Sequence, residues 1–145
     1  MTDQSNLKAH FDTLGLPDAA QSWLLDLWGL IQVLDDARDG DKISPADANR
    51  ATRSIFLTMP LNEFYRQYAA ILQPVMFLQV LKWEGANVVE TAGLANEKSY
   101  VWRSGFYDVV LMCCHLCGIS DAGHGVMEMY GDRYDDYMAE FGRVA

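Results

Sequence analysis

The amino-acid sequence predicts an all-α fold: one domain, residues 1–145, built as a bundle of five or six helices. Three observations carry this expectation. Apolar side chains recur at three- and four-residue spacing along most of the chain, which is the period of a helix face. Proline, glycine, serine and asparagine fall between those runs, where helices start and stop. No stretch alternates polar and apolar residues as a half-buried strand would, and no internal repeat, low-complexity segment or linker interrupts the pattern.

The elements follow in order. Residues 1–16 read as a polar leader with one short amphipathic piece, Leu7 to Leu14. A long helix is expected from about Pro17 to Asp39, with Pro17 suited to a first turn and Gly40 to the residue after the last. Its apolar residues surround nearly the whole circumference, so it should be central. Ser44 and Pro45 are the cap and first position of a helix reaching Met59, where Met59-Pro60 breaks it. Asn62 caps the next, with Phe64, Tyr65, Tyr68, Ile71 and Leu72 at helical spacing. Pro74 either kinks that helix or starts a new one. The segment Val75 to Val89 is apolar around most of its circumference and is expected to be buried. Asn96 then caps a helix from Glu97 to Cys117 that Gly118 stops, with Trp102, Phe106, Val109, Cys113 and Leu116 on its core face. A last helix is expected over Gly123 to Phe141. There Met127, Tyr130, Tyr134, Tyr137 and Phe141 form a heptad-like seam that packs on the bundle or on a second subunit.

The strongest chemical signal is the end of the first long helix. At 100° per residue, Trp28, Gln32, Asp35, Asp36 and Asp39 share an arc about a quarter of a turn wide. Asp35 and Asp39 are neighbours at i,i+4, at a helix C-terminus whose dipole is already negative. Each loses a few tenths of a kcal/mol there, and Arg38 and Lys42 offset only part of it. A bound Mg²⁺ or Mn²⁺ would relieve the conflict; so would plain solvation. The same region, Asp39-Gly40-Asp41-Lys42, lacks the glycine position and closing Glu of an EF-hand loop.

Two further stripes bear on a site. Gln79, Trp83, Asn87 and Glu90 run along one face at i, i+4, i+8 and i+11. They either complete a metal or ligand site opposite Asp35 or make interhelical hydrogen bonds. Glu97, Ser104, Asp108 and His115 share a face that is either wet or partly covered, and a covered face would make Asp108 a ligand. Arg103 is a phosphate contact or an ion-pair partner. Cys114-His115-Leu116-Cys117 lies within one helix and lacks the four surrounding ligands of structural zinc. There is no GxSxG and no glycine-rich phosphate loop, so no catalytic residue is assigned.

Asp35-Asp36-Ala37-Arg38-Asp39 resembles the DDxxD signature of helical prenyl-diphosphate enzymes, which implies Mg²⁺ on the aspartates and a diphosphate on the Mg²⁺. Arg103-Ser104-Gly105-Phe106-Tyr107-Asp108-Val109-Val110, running on to Ser120, resembles the third catalytic helix of the all-α nucleoside-triphosphate pyrophosphatases, the MazG and dimeric dUTPase group. The tail from Val126 to Tyr137 is similar to that group's following helix. This resemblance spans about 40 residues. It implies a Mg²⁺-dependent, usually dimeric diphosphate hydrolase with Asp108 as a metal ligand. Position 105 is Gly where that pattern has Glu, so Asp35, Asp36 and Asp39 would have to substitute.

Composition narrows the field. A net charge of −9 and a pI near 4.5 argue against direct nucleic-acid binding or an anionic membrane as partner. No apolar run reaches the length of a membrane span, and Met1 to His10 is too polar for a secretory signal. Three clustered cysteines, Cys113, Cys114 and Cys117, are not a disulfide framework, so a reducing cytoplasm is expected. Two functional expectations result. One is a Mg²⁺- or Mn²⁺-dependent protein acting on a diphosphate-containing small molecule, a nucleotide before a prenyl donor. Its metal would sit on Asp35, Asp36, Asp39, Asp108 and Glu90, and its ligand on Gln32, Trp83, Asn87 and Arg103. The other is a non-catalytic, acidic, helical protein-interaction module of phage or mobile-element type. A homodimer is compatible with either.

Overall fold

The fold is all-α. The computed structural model describes residues 4–130 and 133–142, and among these no strand occurs. The helices are α1 (Gln4–Leu14), α2 (Asp18–Asp39), α3 (Pro45–Arg53), α4 (Met59–Leu61), α5 (Glu63–Thr91), α6 (Glu97–Arg103), α7 (Phe106–Leu116), α8 (Ala122–Met127) and α9 (Tyr134–Phe141). A π-helical turn, Ser54–Thr58, joins α3 to α4. There are more segments than the five or six expected, because two of the long predicted helices are broken.

The predicted starts and stops mostly hold. Gly40 closes α2 in the left-handed conformation, at φ 78°, with its N–H on the Ala37 carbonyl and the Asp41 N–H on Asp36. The Ser44 hydroxyl accepts from the Asp47 N–H at 3.1 Å, with Pro45 in the first turn. Asn62 caps α5 through the Tyr65 N–H at 3.0 Å, and its amide also donates to the Ala19 carbonyl at 2.9 Å, which ties the start of α5 to α2. Asn96 and Ser99 form a capping box at the start of α6.

The first segment is more than a leader. Leu7 and Phe11 are fully buried and complete the core with Trp23 and Leu24 of α2, Phe64 and Leu72 of α5, Val109, Val110 and Cys113 of α7, and Val126 beyond. Positions 7, 11 and 14 present one apolar stripe, and that stripe is what the core needed. Lys8 and Asp12 bond Gln21 of α2 and seal the joint.

Met59-Pro60 does not end the helix begun at Pro45. The Met59 N–H bonds the Ser54 carbonyl, five residues back, and this widened turn carries the chain through Pro60 to a stop at Asn62. It also turns Ile55, Phe56 and Leu57 outward, with Phe56 77% exposed. Pro74 starts no new helix: α5 spans 29 residues but is kinked at Tyr68 (φ −119°, ψ 17°), two residues before the Ala70 carbonyl that the proline ring meets.

The stretch Val75 to Val89 is not buried all round. Its inner side carries Ala86 and Asn87 into the interior, while Phe77, Leu78, Val80, Leu81 and Val88 are each exposed. Too few helices surround α5 to cover them. The expected helix from Glu97 to Cys117 breaks at Ser104-Gly105, and the break rotates α6 against α7. Phe106, Val109 and Cys113 remain in the core, but Trp102 turns half out of it. The expected helix from Gly123 to Phe141 is likewise two pieces, α8 and α9, with residues 131 and 132 outside the described residues. Its seam is not straight: Met127 is exposed and the tyrosines gather on α6 and α7. Tyr130 stacks on Tyr107 at 4.5 Å between centroids, and Tyr134 and Tyr137 each meet Tyr100 at 5.4 Å. No helix among the described residues is long and apolar enough to cross a membrane.

Candidate functional site

α2 and α5 meet near Ala19 and again toward their C-termini, where Trp83 bonds Asp35 and Arg38 bonds Thr91, and an open cleft of about 1470 Å³ lies between these contacts. One wall is α2, with Trp23, Leu27, Trp28 and Ile31. The other is α5, with Met76, Phe77, Val80 and Trp83. Ile55, Met59 and Pro60 border one end, and Tyr137 and Phe141 of α9 the other. Trp23 and Leu27 belong to the core behind the wall, and the uncovered apolar surface is that of Phe77 and Val80 on α5. Trp23 stacks on Tyr65 at 5.5 Å and Trp28 tilts against Phe106 at 5.2 Å, so the aromatic lining is held from behind.

The polar groups of the cleft form a compact cluster at its α9 end. Arg103, at the end of α6, donates from Nη1 to Glu90 Oε1 at 2.8 Å, and its Nη2 lies 3.8 Å from Asp35 Oδ2. The Trp83 indole N–H donates to Asp35 Oδ1 at 2.7 Å. The Tyr137 hydroxyl lies 2.9 Å from Glu90 Oε2, to which it donates, and 2.6 Å from Ser99 Oγ. The guanidinium also sits over the Phe141 ring at 4.9 Å. Burial raises the titration of both carboxylates, Asp35 and Glu90; Trp83 and Arg103 at Asp35, and Arg103 and Tyr137 at Glu90, oppose it. Burial likewise pushes the Tyr137 hydroxyl up to about 12.

The sequence-predicted residues are thus partly assembled. Asp35, Trp83, Glu90 and Arg103 meet in one cluster, and Gln32 lines the cleft beside it. Asp36 and Asp39 stay exposed on the rim. Asn87 is buried behind the wall. Asp108 is elsewhere, half-exposed, accepting from Gln79 at 2.9 Å and Lys82 at 3.0 Å. Among the described residues no three His, Cys, Asp or Glu side chains form a group able to hold a metal ion. The five predicted ligands are not brought together: Arg103 lies beside Asp35 and Glu90, while Asp36 and Asp39 stand on the rim and Asp108 is elsewhere. The guanidinium gives one hydrogen bond, to Glu90, and its second nitrogen faces Asp35 without bonding it.

Position 105 has a packing role. A Cβ there would come within 1.4 Å of Gln79 Oε1, so the Gln79 amide lies directly on the Gly105 backbone and reaches Asp108 from there. The cysteines serve the core: Cys113 and Cys114 are buried, all three are free thiols, and burial pushes Cys114 up to about 11. His115 is exposed.

Sequence reasoning missed Tyr137 and Ser99 as members of the polar cluster. Tyr137 reads as one rung of an apolar seam, and Ser99 carries no signal of its own in the sequence. Neither shows its second partner along the chain. It also missed two buried polar atoms behind the cleft wall that have no hydrogen-bond partner, Trp23 Nε1 and Gln79 Oε1.

Neither a protein-family model, nor a curated protein, nor a solved structure matches the chain. The geometry of the cleft therefore carries the functional argument alone.

Proposed function

We propose that this protein is a non-catalytic interaction module whose cleft holds an amphipathic helical segment, apolar on one face and carrying Lys or Arg at one end. The observation that carries this reading is the pairing of long apolar walls with an acidic rim. Asp36, Asp39 and Asp41 at the end of α2, and Asp136 and Glu140 on α9, border the cleft and are exposed. At about 1470 Å³ the cleft exceeds the common small-molecule range of about 300–1,000 Å³. An apolar groove is the kind of surface into which an amphipathic helix lays its apolar face. The buried thiols suit a reducing, cytoplasmic setting. Diphosphate hydrolysis has no comparable observation in its favour, since its predicted ligands are not brought together.

A synthetic Leu/Lys amphipathic peptide of about five turns tests this, titrated against the fluorescence of Trp23, Trp28 and Trp83, all in the lining. Saturable binding is expected, weakened about tenfold by Asp36→Lys/Asp39→Lys and by Phe77→Ser, and weakened by salt. Binding of a Leu/Glu peptide as tight as that of the Leu/Lys peptide, or indifference to both variants, would refute the reading.

A further inference from the structure

Resting on that reading of the cleft, we infer that its occupant is the Arg50–Leu61 segment of a second copy of this chain. Three observations converge. First, this segment has the required composition and is displayed rather than packed. The π-helical turn pushes out three consecutive apolar side chains, Ile55 (45% exposed), Phe56 (77%) and Leu57 (44%), and Leu61 follows at 61%. Arg53 and Arg50, one and two turns earlier, are exposed on α3, Arg50 in a solvent-exposed ion pair with Asp47 at 2.7 Å that an acidic rim can replace. An apolar block next to a basic one is what the acid-rimmed cleft selects.

Second, the chain leaves too much surface uncovered for a lone domain. A monomer of 16.3 kDa is expected to expose about 7,500 Å². This chain exposes 8793 Å², an excess of about 1,300 Å². Each partner in a standard interface buries about 800 Å², so the excess is enough for one.

Third, the geometry is self-complementary. Ile55, Met59 and Pro60 border their own cleft, so segment and cleft are adjacent on one face. A twofold axis beside that face places each segment in the other copy's cleft, giving a closed, isologous pair. Charge fixes the register. Each copy carries −9, so most face-to-face contacts repel. Setting Arg50 and Arg53 of one copy against Asp36, Asp39 and Asp136 of the other avoids this.

The test is sedimentation velocity on the full chain from about 1 to 100 μM, with wild type, Phe56→Glu and Arg50→Glu/Arg53→Glu, and tryptophan-fluorescence titration of a synthetic peptide of residues 48–61 into the Phe56→Glu protein. Phe56 and both arginines are exposed, so the variants keep the wild-type circular dichroism and melting of a monomer. The expected result is a wild-type dimer, monomeric variants, and a peptide that binds the Phe56→Glu protein at least tenfold more tightly than it binds Phe56→Glu/Phe77→Ser. A wild type that stays monomeric throughout overturns the inference. So does a dimer indifferent to Phe56→Glu, and so does a dimer lost on Phe56→Glu whose peptide fails to bind. If the Leu/Lys peptide still binds in those cases, the cleft reading stands and the partner is another protein. If neither peptide binds, both fall together.

Discussion

Arg103 donates a 2.8 Å hydrogen bond to Glu90, a carboxylate whose side chain is only 5% exposed. Asp35 lies on the other side of the same guanidinium, at 3.8 Å. Removing Arg103 would leave two carboxylates in a low-dielectric pocket with no cation between them. Arg103→Met is therefore expected to destabilise the fold by about 3 kcal/mol at neutral pH, since breaking a buried pair by losing one partner strands the other. Urea denaturation reads this directly. A loss within experimental error of zero would mean that solvent already screens the cluster.

The two carboxylates also set a pH dependence. Burial raises Asp35 above 3.8 and Glu90 above 4.5. The folded protein therefore holds these protons more tightly than the unfolded chain does. Their contribution is unfavourable at neutral pH and is relieved as pH falls through the raised folded values toward the ordinary ones. In Asp35→Asn/Glu90→Gln that relief is absent. The stability of the double variant relative to wild type is thus expected to decline between neutral pH and pH 4. Measured denaturation free energies that differ by a constant over this range would contradict it.

Gly105 gives a sharper test, because the space a side chain needs is filled by Gln79 Oε1, 1.4 Å from a built Cβ. Gly105→Ala must swing the flexible end of Gln79 away and break its 2.9 Å bond to Asp108, a cost of about 1 kcal/mol. In a Gln79→Ala background the same substitution should cost nothing measurable, so the double-mutant cycle shows coupling of about that size. Additive effects would place the conflict elsewhere.

The first helix belongs to the core, and truncating it there should cost as a core truncation costs. Phe11→Ala is expected to lose about 3–5 kcal/mol, since Phe11 is fully buried against the α2 face. A loss below about 1 kcal/mol in thermal or chemical unfolding would return residues 1–16 to the status of a leader.

The rim aspartates should behave as solvated charges at an unfavourable helix end. Asp36→Asn/Asp39→Asn is expected to raise stability by a few tenths to about 1 kcal/mol, through the α2 dipole and like-charge relief. Millimolar Mg²⁺ or Mn²⁺ should leave the wild-type melting midpoint within the shift that matched ionic strength gives. A specific rise that the double variant abolishes would restore the metal reading.

What the chain declares on its own is local. Helical periodicity, the caps at Ser44, Asn62 and Asn96 and the stop at Gly40 depend on neighbours within four residues, and so the all-α class and most helix ends are legible. The stripe Trp83 to Glu90 and the pattern around Asp35 already mark polar groups on otherwise apolar helices. Which groups they meet is another matter. Asp35 finds Trp83 48 residues away, and Glu90 finds Arg103 and Tyr137 at separations of 13 and 47. No short-range pattern encodes those encounters. Only the tertiary structure set the Arg103 guanidinium beside both carboxylates. It alone decided that Gly105 is the seat of Gln79, that Leu7 and Phe11 close the core, and that α5 stands half uncovered beside an open cleft. Periodicity fixes which face of a helix is apolar; what covers that face is settled by the number and placement of the other helices.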